Sequence, residues 1–163
     1  ELGVYEIIPV EMKYCVVKLD AKKKAARLKR YQGIAESAAK QSKRSRIPVV
    51  HDFMTYRDAM AYAKECDLCL VPYECAKGME ATKDALTKIR DAKTISIMIG
   101  PEGGFAQEEI DAVKDCMQVV SLGSRILRTD TAAITTMSMV MLATCNKMPV
   151  DSGRYMNKLR VIE

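Results

Sequence analysis

The chain has 163 residues but no tryptophan, only two phenylalanines and a single histidine, His51. Zinc and similar metals are usually held by several histidines or by paired cysteines. Cys66 and Cys69 have the spacing of one such pair, but no second pair follows at finger spacing. We therefore expect no metal, buried thiols at these two positions and a structural role for His51.

The sequence also lacks a long hydrophobic run. A membrane span needs about 18 consecutive apolar residues, and threonine and serine interrupt the best candidate, residues 131–145. No apolar leader of the secretory kind is visible, and six cysteines without secretory features are typical of a reducing compartment. We expect a cytoplasmic protein with no membrane partner.

What the chain has in excess is positive charge near its start. The net charge is +5, from 26 Lys and Arg against 21 Asp and Glu. Twelve of the cations fall between Lys13 and Arg46, where the only acids are Asp20 and Glu36. This asymmetry suits an anionic partner such as RNA, and a solvated helix face is the alternative.

Hydrophobic periodicity predicts alternating strands and helices in one domain. The predicted strands are residues 5–10, 47–51, 67–73, 94–99 and 118–122, and the predicted helices are 22–42, 55–65, 79–90, 106–116 and 131–146. Thr55 and Asp58 form a candidate helix cap. Such alternation indicates an α/β fold with a mainly parallel sheet flanked by helices, followed by a weakly structured polar tail at 149–163.

Two segments place turn residues directly after predicted strands. Residues 100–104 are Gly-Pro-Glu-Gly-Gly, and residues 121–132 contain Arg125 and Arg128 beside Asp130. The loop at residues 100–104 has neither the Gly-Lys-Ser/Thr of a Walker loop nor the spacing of a dinucleotide fingerprint. Because ligands gather at the carboxyl ends of parallel strands, we expect one shared pocket. A tight strand-to-helix turn without a ligand is the alternative.

These segments carry a family resemblance. Residues 99–105 (Ile-Gly-Pro-Glu-Gly-Gly-Phe) and 122–132 (Leu-Gly-Ser-Arg-Ile-Leu-Arg-Thr-Asp-Thr-Ala) resemble the two signature motifs of the ribosomal small subunit methyltransferase E family. The Glu-Leu-Gly at residues 1–3 and the segment 39–49 also resemble that family, in the same order. The family methylates N3 of a uridine in 16S rRNA, with S-adenosylmethionine as methyl donor.

The resemblance implies a SPOUT-type fold with a C-terminal trefoil knot, which functions as a homodimer. It assigns residues 1–148 to the methyltransferase domain and implies that the family's N-terminal PUA-like RNA-binding barrel is absent from this chain. Asp130 stands where the family usually has Glu, so the carboxylate is kept at a shorter reach. Ala106 replaces a Ser or Thr and cannot cap the next helix through a hydroxyl.

The resemblance and the chemistry together nominate catalytic residues. Arg128 is the first candidate, as a fixed cation that stabilises negative charge developing on the uracil carbonyls. Glu102 or Glu74 could accept the N3 proton. The alternatives are a salt bridge from Arg128 to Asp130 or Glu102, and carboxylates that only satisfy loop amides.

The predicted binding residues fall into two sets. The cofactor set is Val71, Pro72, Tyr73, Glu74, Ile99, Gly100, Pro101, Gly103, Gly104, Leu122, Gly123, Ser124, Ile126, Leu127, Arg128, Thr131 and Ala132. The RNA set is Lys40, Lys43, Arg44, Arg46 and Arg125. The segment 131–145 is too broadly apolar for one amphipathic stripe, which indicates a dimer interface or, alternatively, burial within one subunit.

Two other functions stay open at this point. A SPOUT methyltransferase acting on a ribose 2′-hydroxyl usually carries Asn-x-Gly-x-x-x-Arg, which is not found here. An RNA-binding dimer without catalysis is the other alternative, and the presence of Arg128 and both glycine loops argues against it.

Overall fold

The computed structural model describes residues 1–15, 19–76, 78–144 and 158–162. Its strands are β1 (Glu6–Ile8), β2 (Val10–Glu11), β3 (Val49–Val50), β4 (Met54–Thr55), β5 (Leu68–Pro72), β6 (Thr94–Met98), β7 (Gln118–Val120) and β8 (Lys158–Ile162). Its helices are α1 (Ala21–Gln41), α2 (Tyr56–Ala63), α3 (Glu80–Ile89), α4 (Gln107–Asp111) and α5 (Thr129–Thr144).

Six of the strands form a single sheet in the order β3-β1-β8-β6-β5-β7. Every neighbouring pair in it is parallel, so the predicted α/β fold with a parallel sheet is confirmed. Strands β2 and β4 pair separately, also in parallel. All carboxyl ends of the main sheet therefore point to the same edge.

Strand β5 shows why the sheet needs cover on both faces. All five of its residues are buried. Leu68 and Leu70 belong to one apolar cluster, whereas Cys69 and Val71 belong to another. Because successive side chains of a strand point to opposite faces, the two clusters are the cores on the two sides of the sheet. The thiols of Cys66 and Cys69 are buried, as predicted.

Helices α1 and α2 begin at polar residues whose side chains accept a hydrogen bond from an amide of the first turn. The carboxylate of Asp20 accepts a 2.8 Å hydrogen bond from the Lys23 amide at the start of α1. Thr55 Oγ1 accepts one from the Asp58 amide at 3.2 Å, which confirms the predicted cap of α2. These local bonds fix where each helix starts relative to the strand before it.

Ala106 precedes α4 and has no hydroxyl to cap the helix, but a side chain of the helix itself satisfies a backbone amide at this end. The buried carboxylate of Glu109 accepts the Ala106 amide at 2.8 Å and the Lys13 amide at 3.1 Å. The Tyr56 hydroxyl donates to the Glu109 carbonyl at 2.6 Å. One side chain therefore joins the start of α4 to residues 12–15. Helix α4 is also shorter than predicted, ending at Asp111.

The sequence prediction is wrong for the last strand. Residues 149–163 were expected to be weakly structured, but Lys158–Ile162 forms β8 between β1 and β6. Val161 is buried in the sheet core. Central parallel strands are usually apolar throughout. In β8 the charged residues Lys158 and Arg160 alternate with apolar ones, so the sequence does not have the pattern of a central strand. The sheet thus uses residues beyond the predicted boundary at 148, while residues 149–157 lie outside the described residues.

None of the described helices is both long enough and apolar enough to cross a membrane. Within the same residues, no group of three or more His, Cys, Asp or Glu side chains is placed to hold a metal ion. His51 Nε2 lies 2.7 Å from Glu6 Oε2, and the Tyr62 hydroxyl donates to the same carboxylate at 3.1 Å.

We expect Glu109→Ala to lower the free energy of unfolding by about 1–3 kcal/mol, because a buried amide at Ala106 loses its acceptor. Urea unfolding followed by circular dichroism measures the change. Glu108→Ala is the matched control: Glu108 forms an exposed ion pair with Lys13, and such pairs contribute less than about 1 kcal/mol. Equal losses for both variants would contradict the role assigned to Glu109.

Candidate active site

A cavity of about 470 Å³ opens at the carboxyl edge of β5 and β6. Its size is within the usual range of small-molecule sites. The lining comes from three segments that follow β5, follow β6 and lead into α5. The lining residues are Pro72, Glu74, Ile99, Gly100, Pro101, Glu102, Gly104, Phe105, Ile126, Leu127, Arg128, Thr129, Asp130 and Ala132.

A second cavity of about 50 Å³ adjoins the first, on the side of β7. The two share Pro72, Glu74, Leu127 and Ala132. Its other lining residues are Tyr73, Leu122, Gly123 and Arg125. The site is therefore one continuous concavity over the ends of three neighbouring strands, as the shared-pocket prediction requires.

A tight turn after β6 shapes one wall. The Gly104 amide donates to the Pro101 carbonyl at 2.8 Å, and Gly104 has a φ of +72°. A Cβ at this position would lie 2.7 Å from Oε1 of Glu74. The backbone conformation therefore favours glycine, whereas the Glu74 carboxylate is the end of an exposed side chain that can move aside.

The same turn folds back on an aromatic ring. Phe105 is buried and meets Tyr73 edge-on, with ring centroids 6.3 Å apart. A Cβ on Gly100 would come within 2.9 Å of the Phe105 ring. The buried Phe105 ring thus fixes the position of residues 100–104 relative to the end of β6.

The segment after β7 is anchored by α3. Thr82 Oγ1 donates to the Ser121 carbonyl at 2.8 Å and accepts the Ser121 amide at 3.0 Å, and both residues are buried. Gly123 then turns with a φ of +114°. The chain leaves this anchor as an exposed stretch in which Ile126 is 84% exposed.

The third wall is the first turn of α5. The Arg128 carbonyl accepts the Ala132 amide at 2.8 Å, and Asp130 Oδ1 accepts the Thr131 amide at 2.8 Å. A carboxylate in the first turn is favoured by the helix dipole. In the part of the chain that the structure describes, Arg128 forms no salt bridge with Asp130 or Glu102. Its guanidinium is thus not neutralised by the partners that the sequence suggested.

The site combines two cations, Arg128 and Arg125, with carboxylates over a lining of backbone groups and aliphatic side chains. Glu74 and Glu102 are both exposed to solvent. A hydrogen bond with the Cys75 side chain raises the pKa of the Tyr73 phenol, so Tyr73 is neutral at neutral pH. Such an arrangement can hold a flat, partly polar ligand and stabilise an anion that forms beside Arg128.

Most of the predicted cofactor set lines this concavity. The exceptions are Val71, Gly103, Ser124 and Thr131. Val71 is fully buried in the core beneath the site. Gly103 faces residues 12–15, where a Cβ would lie 2.8 Å from Tyr14 Cβ. Ser124 and Thr131 are exposed and line neither cavity.

The predicted RNA set is divided between two places. Arg125 lines the smaller cavity, whereas the others lie at the far end of α1. Lys40 pairs with Glu36 at 2.7 Å, and Lys43 is exposed with a φ of +56°.

Arg44 and Arg46 contact the segment before β1. Arg44 Nη2 donates to the Val4 carbonyl at 2.9 Å, and partial burial lowers the pKa of its guanidinium. The Arg46 guanidinium lies 4.5 Å from the Tyr5 ring centroid. Both side chains therefore make contacts within the fold.

Sequence reasoning left three lining residues out of the site: Phe105, Thr129 and Asp130. All three belong to the quoted motifs, and each adjoins a residue that was selected. Tyr14, which backs Gly103, lies 89 positions away in the sequence; no local pattern links the two.

Over most of its length, the chain is similar to parts of longer, named proteins. The chain is 32% identical over 148 residues to ribosomal RNA small subunit methyltransferase E of Bacillus subtilis, covering 88% of this chain and 58% of the relative. It is 39% identical over 137 residues to the enzyme of the same name from Mesomycoplasma hyopneumoniae, covering 82% and 56%. The chain thus spans little more than half the length of these relatives.

A solved structure also matches. The ribosomal RNA small subunit methyltransferase E from Neisseria gonorrhoeae, bound to S-adenosyl methionine, superimposes with a TM-score of 0.73 at 31% identity. The match covers 88% of this chain and 56% of that one.

A family model described as an RNA methyltransferase domain matches residues 1–141. The matched region holds α1 to α4, most of α5 and seven of the described strands. It also contains every residue that lines the two cavities. The chain belongs to the RNA methyltransferase domain family.

Proposed function

We propose that this chain transfers the methyl group of S-adenosylmethionine to N3 of a uridine in 16S rRNA, in the cytoplasm. The observation that carries the proposal is the cavity at the carboxyl edge, where both signature segments meet beside Arg128. The Neisseria relative is bound to S-adenosyl methionine, and the named relatives are small subunit rRNA methyltransferases.

The cavity suits that donor by its shape and lining. Backbone groups of residues 99–104 can bind the edge of the adenine, and Ile99, Leu122 and Leu127 offer it apolar surface. Gly104 lines the cavity without a side chain, so a ligand can approach its backbone. S-adenosylmethionine supplies a methyl group on a cationic sulfur, from which an aligned nitrogen displaces it.

Side chains of this chain then accept the N3 proton of the uracil and stabilise the negative charge that develops on its oxygens. As the N3–carbon bond forms and the sulfur–carbon bond breaks, N3 must lose its proton. Glu102 and Glu74 both line the cavity, and we infer that one of them accepts this proton. Arg128, which is not held in a salt bridge with Asp130 or Glu102, stabilises the negative charge on the uracil oxygens.

We also propose a homodimer formed through α5. The helix buries Thr136, Val140 and Thr144 toward its own subunit. On its outer side Ile134 is 58% and Leu142 is 78% exposed. Exposed apolar side chains grouped in this way commonly mark an interface. We place the trefoil knot in the same region, and the insertion of β8 between β1 and β6 is consistent with it.

The RNA is proposed to contact Arg125 at the rim of the site and the cluster of Lys40, Lys43, Arg44 and Arg46. The contacts of Arg44 and Arg46 with the segment before β1 leave Lys40 and Lys43 as the more accessible pair. Two alternatives give other results in the methyl-transfer assay below. A noncatalytic RNA-binding dimer would form no methylated product, and a 2′-hydroxyl methyltransferase would methylate ribose.

We expect S-adenosylmethionine to bind the 163-residue chain, and Gly104→Val to weaken that binding at least tenfold. The new side chain meets Glu74 and requires an unfavourable φ. Titration calorimetry measures the affinity. Gly33→Ala is the control, since Gly33 lies in α1 with open space around it. Absence of binding by the unaltered chain would refute the proposed function.

Arg128→Ala should leave the affinity for S-adenosylmethionine within a few-fold and lower methyl transfer by about a hundredfold or more. Loss of a single positioned electrostatic group has this size of effect. The assay uses tritiated donor and small-subunit RNA, with the product nucleoside identified by mass spectrometry. Near-normal turnover would make Arg128 structural, and methylation on ribose would identify the 2′-hydroxyl alternative.

Leu142→Lys should shift the chain from dimer to monomer, because the substitution places an unpaired charge in the proposed apolar interface. Sedimentation velocity measures the mass, which for the chain alone is 18.2 kDa. Met79→Lys is the matched control, since Met79 is also an exposed apolar residue but lies before α3. A monomeric unaltered chain at high concentration would contradict the dimer.

A further inference from the structure

The first half of α1 carries a concentration of positive charge, and only part of it forms ion pairs with other described residues. Six of the ten residues from Ala21 to Arg30 are Lys or Arg, and none is acidic. Lys23 pairs with Asp20 and Lys24 pairs with Glu11. The remaining cations of this stretch form no ion pair with other described residues.

The position of the lysines in the first turn of α1 is unfavourable for helix stability. The first turn of α1 contains Lys22, Lys23 and Lys24 but no acid. The amino end of a helix carries partial positive charge, so cations there are disfavoured. Local stability therefore does not explain why three lysines follow one another at this point.

Three of these cations share one exposed face. Lys22, Lys29 and Arg30 are all exposed, and at 3.6 residues per turn they fall within about a third of the helix circumference. The buried positions of α1, Ala35 and Ala39, lie on the opposite side. We name the exposed set Lys22, Lys29 and Arg30 the α1 stripe.

The direction of α1 places Lys22, the first residue of the α1 stripe, at the edge of the sheet where the site lies, and Lys29 and Arg30 follow about 10–12 Å further along the helix. Lys24 Nζ is 2.7 Å from Glu11 Oε1 at the end of β2, and β2 follows the carboxyl end of β1. At the other end of the helix, Arg44 binds the Val4 carbonyl, before β1 begins. Helix α1 thus runs from the carboxyl edge to the amino edge.

Residues 12–15 connect this region to the wall of the cavity. Tyr14 packs against Gly103, and the Lys13 amide donates to Glu109 at 3.1 Å. The chain then continues toward Asp20 and α1. Along the helix, at 1.5 Å per residue, Arg30 lies about 15 Å from Lys40 and Lys22 lies about 27 Å from it, so the two basic regions can be tested separately.

We propose that the α1 stripe is an RNA-docking surface that binds the phosphate backbone of the substrate and guides it toward the site. The proposal rests on the proposed function, because that function supplies a polyanion at this edge. An exposed row of unpaired cations complements regularly spaced phosphates. An anionic membrane is the other polyanion to be tested.

The experiment compares three forms of the 163-residue chain by fluorescence anisotropy with a labelled single-stranded RNA. Lys22→Gln/Lys29→Gln/Arg30→Gln should weaken RNA binding at least tenfold. It should also reduce the slope of log K against log salt by about 2, since each phosphate contact contributes about 0.7. Glutamine preserves helix propensity, and circular dichroism checks the fold.

The matched control removes three exposed cations near the amino edge, as Lys64→Gln/Arg90→Gln/Lys93→Gln. We expect this form to bind RNA within a few-fold of the unaltered chain. Equal losses for the two triple variants, or no RNA binding by the unaltered chain, would overturn the proposal. So would stripe-dependent binding to phosphatidylserine vesicles with no stripe-dependent binding to RNA.

Calorimetry with S-adenosylmethionine separates this proposal from the one on which it rests. The stripe variant should bind the methyl donor normally, because α1 does not line the cavity. If the donor binds neither the unaltered chain nor the variant but RNA binding still depends on the stripe, the proposed enzyme fails and the docking surface stands. If the donor binds and RNA binding is independent of the stripe, the docking surface fails alone.

Discussion

The parallel direction of all six strands in the main sheet is the constraint on which the rest of the molecule depends. Residues 72–74, 99–101 and 121–122 leave β5, β6 and β7 at the same edge because those strands run side by side in register. Each crossover must return to the opposite edge, which places a helix over one face or the other. The cavity is the space that remains where the three loops diverge.

Close packing of the glycine loop gives that space its form. Gly100 lies against Phe105, Gly103 against Tyr14 and Gly104 against Glu74, each too near for a Cβ. Contacts within the chain therefore favour glycine at positions 100 and 103, and the positive φ favours it at position 104, whether or not a ligand is bound. A loop held in this way is organised before binding, and preorganisation reduces the entropy cost of binding. Glu109 adds to this order by tying α4 to Lys13, in the turn that follows β2.

Much of this organisation follows from local sequence patterns. Apolar runs predict β5 and β6 within a residue or two, and the cap at Thr55 predicts where α2 begins. The turn residues at 100–104 and 121–124 predict that a pocket lies beyond the strands. Local patterns succeed here because burial, capping and turn geometry each depend on residues close together in the chain. The short β2 and β4 escaped prediction, since two-residue strands have no periodicity to detect.

The sequence by itself determined the fold class, most of the elements and the loops that form the site. Only the tertiary structure decided that Lys158–Ile162 enters the centre of the sheet, and that Val71 supports the site from the core. It also decided that Arg44 binds the Val4 carbonyl while the start of α1 reaches the carboxyl edge. These outcomes depend on contacts between residues far apart in sequence, which are set by the packing of whole elements and not by local propensity.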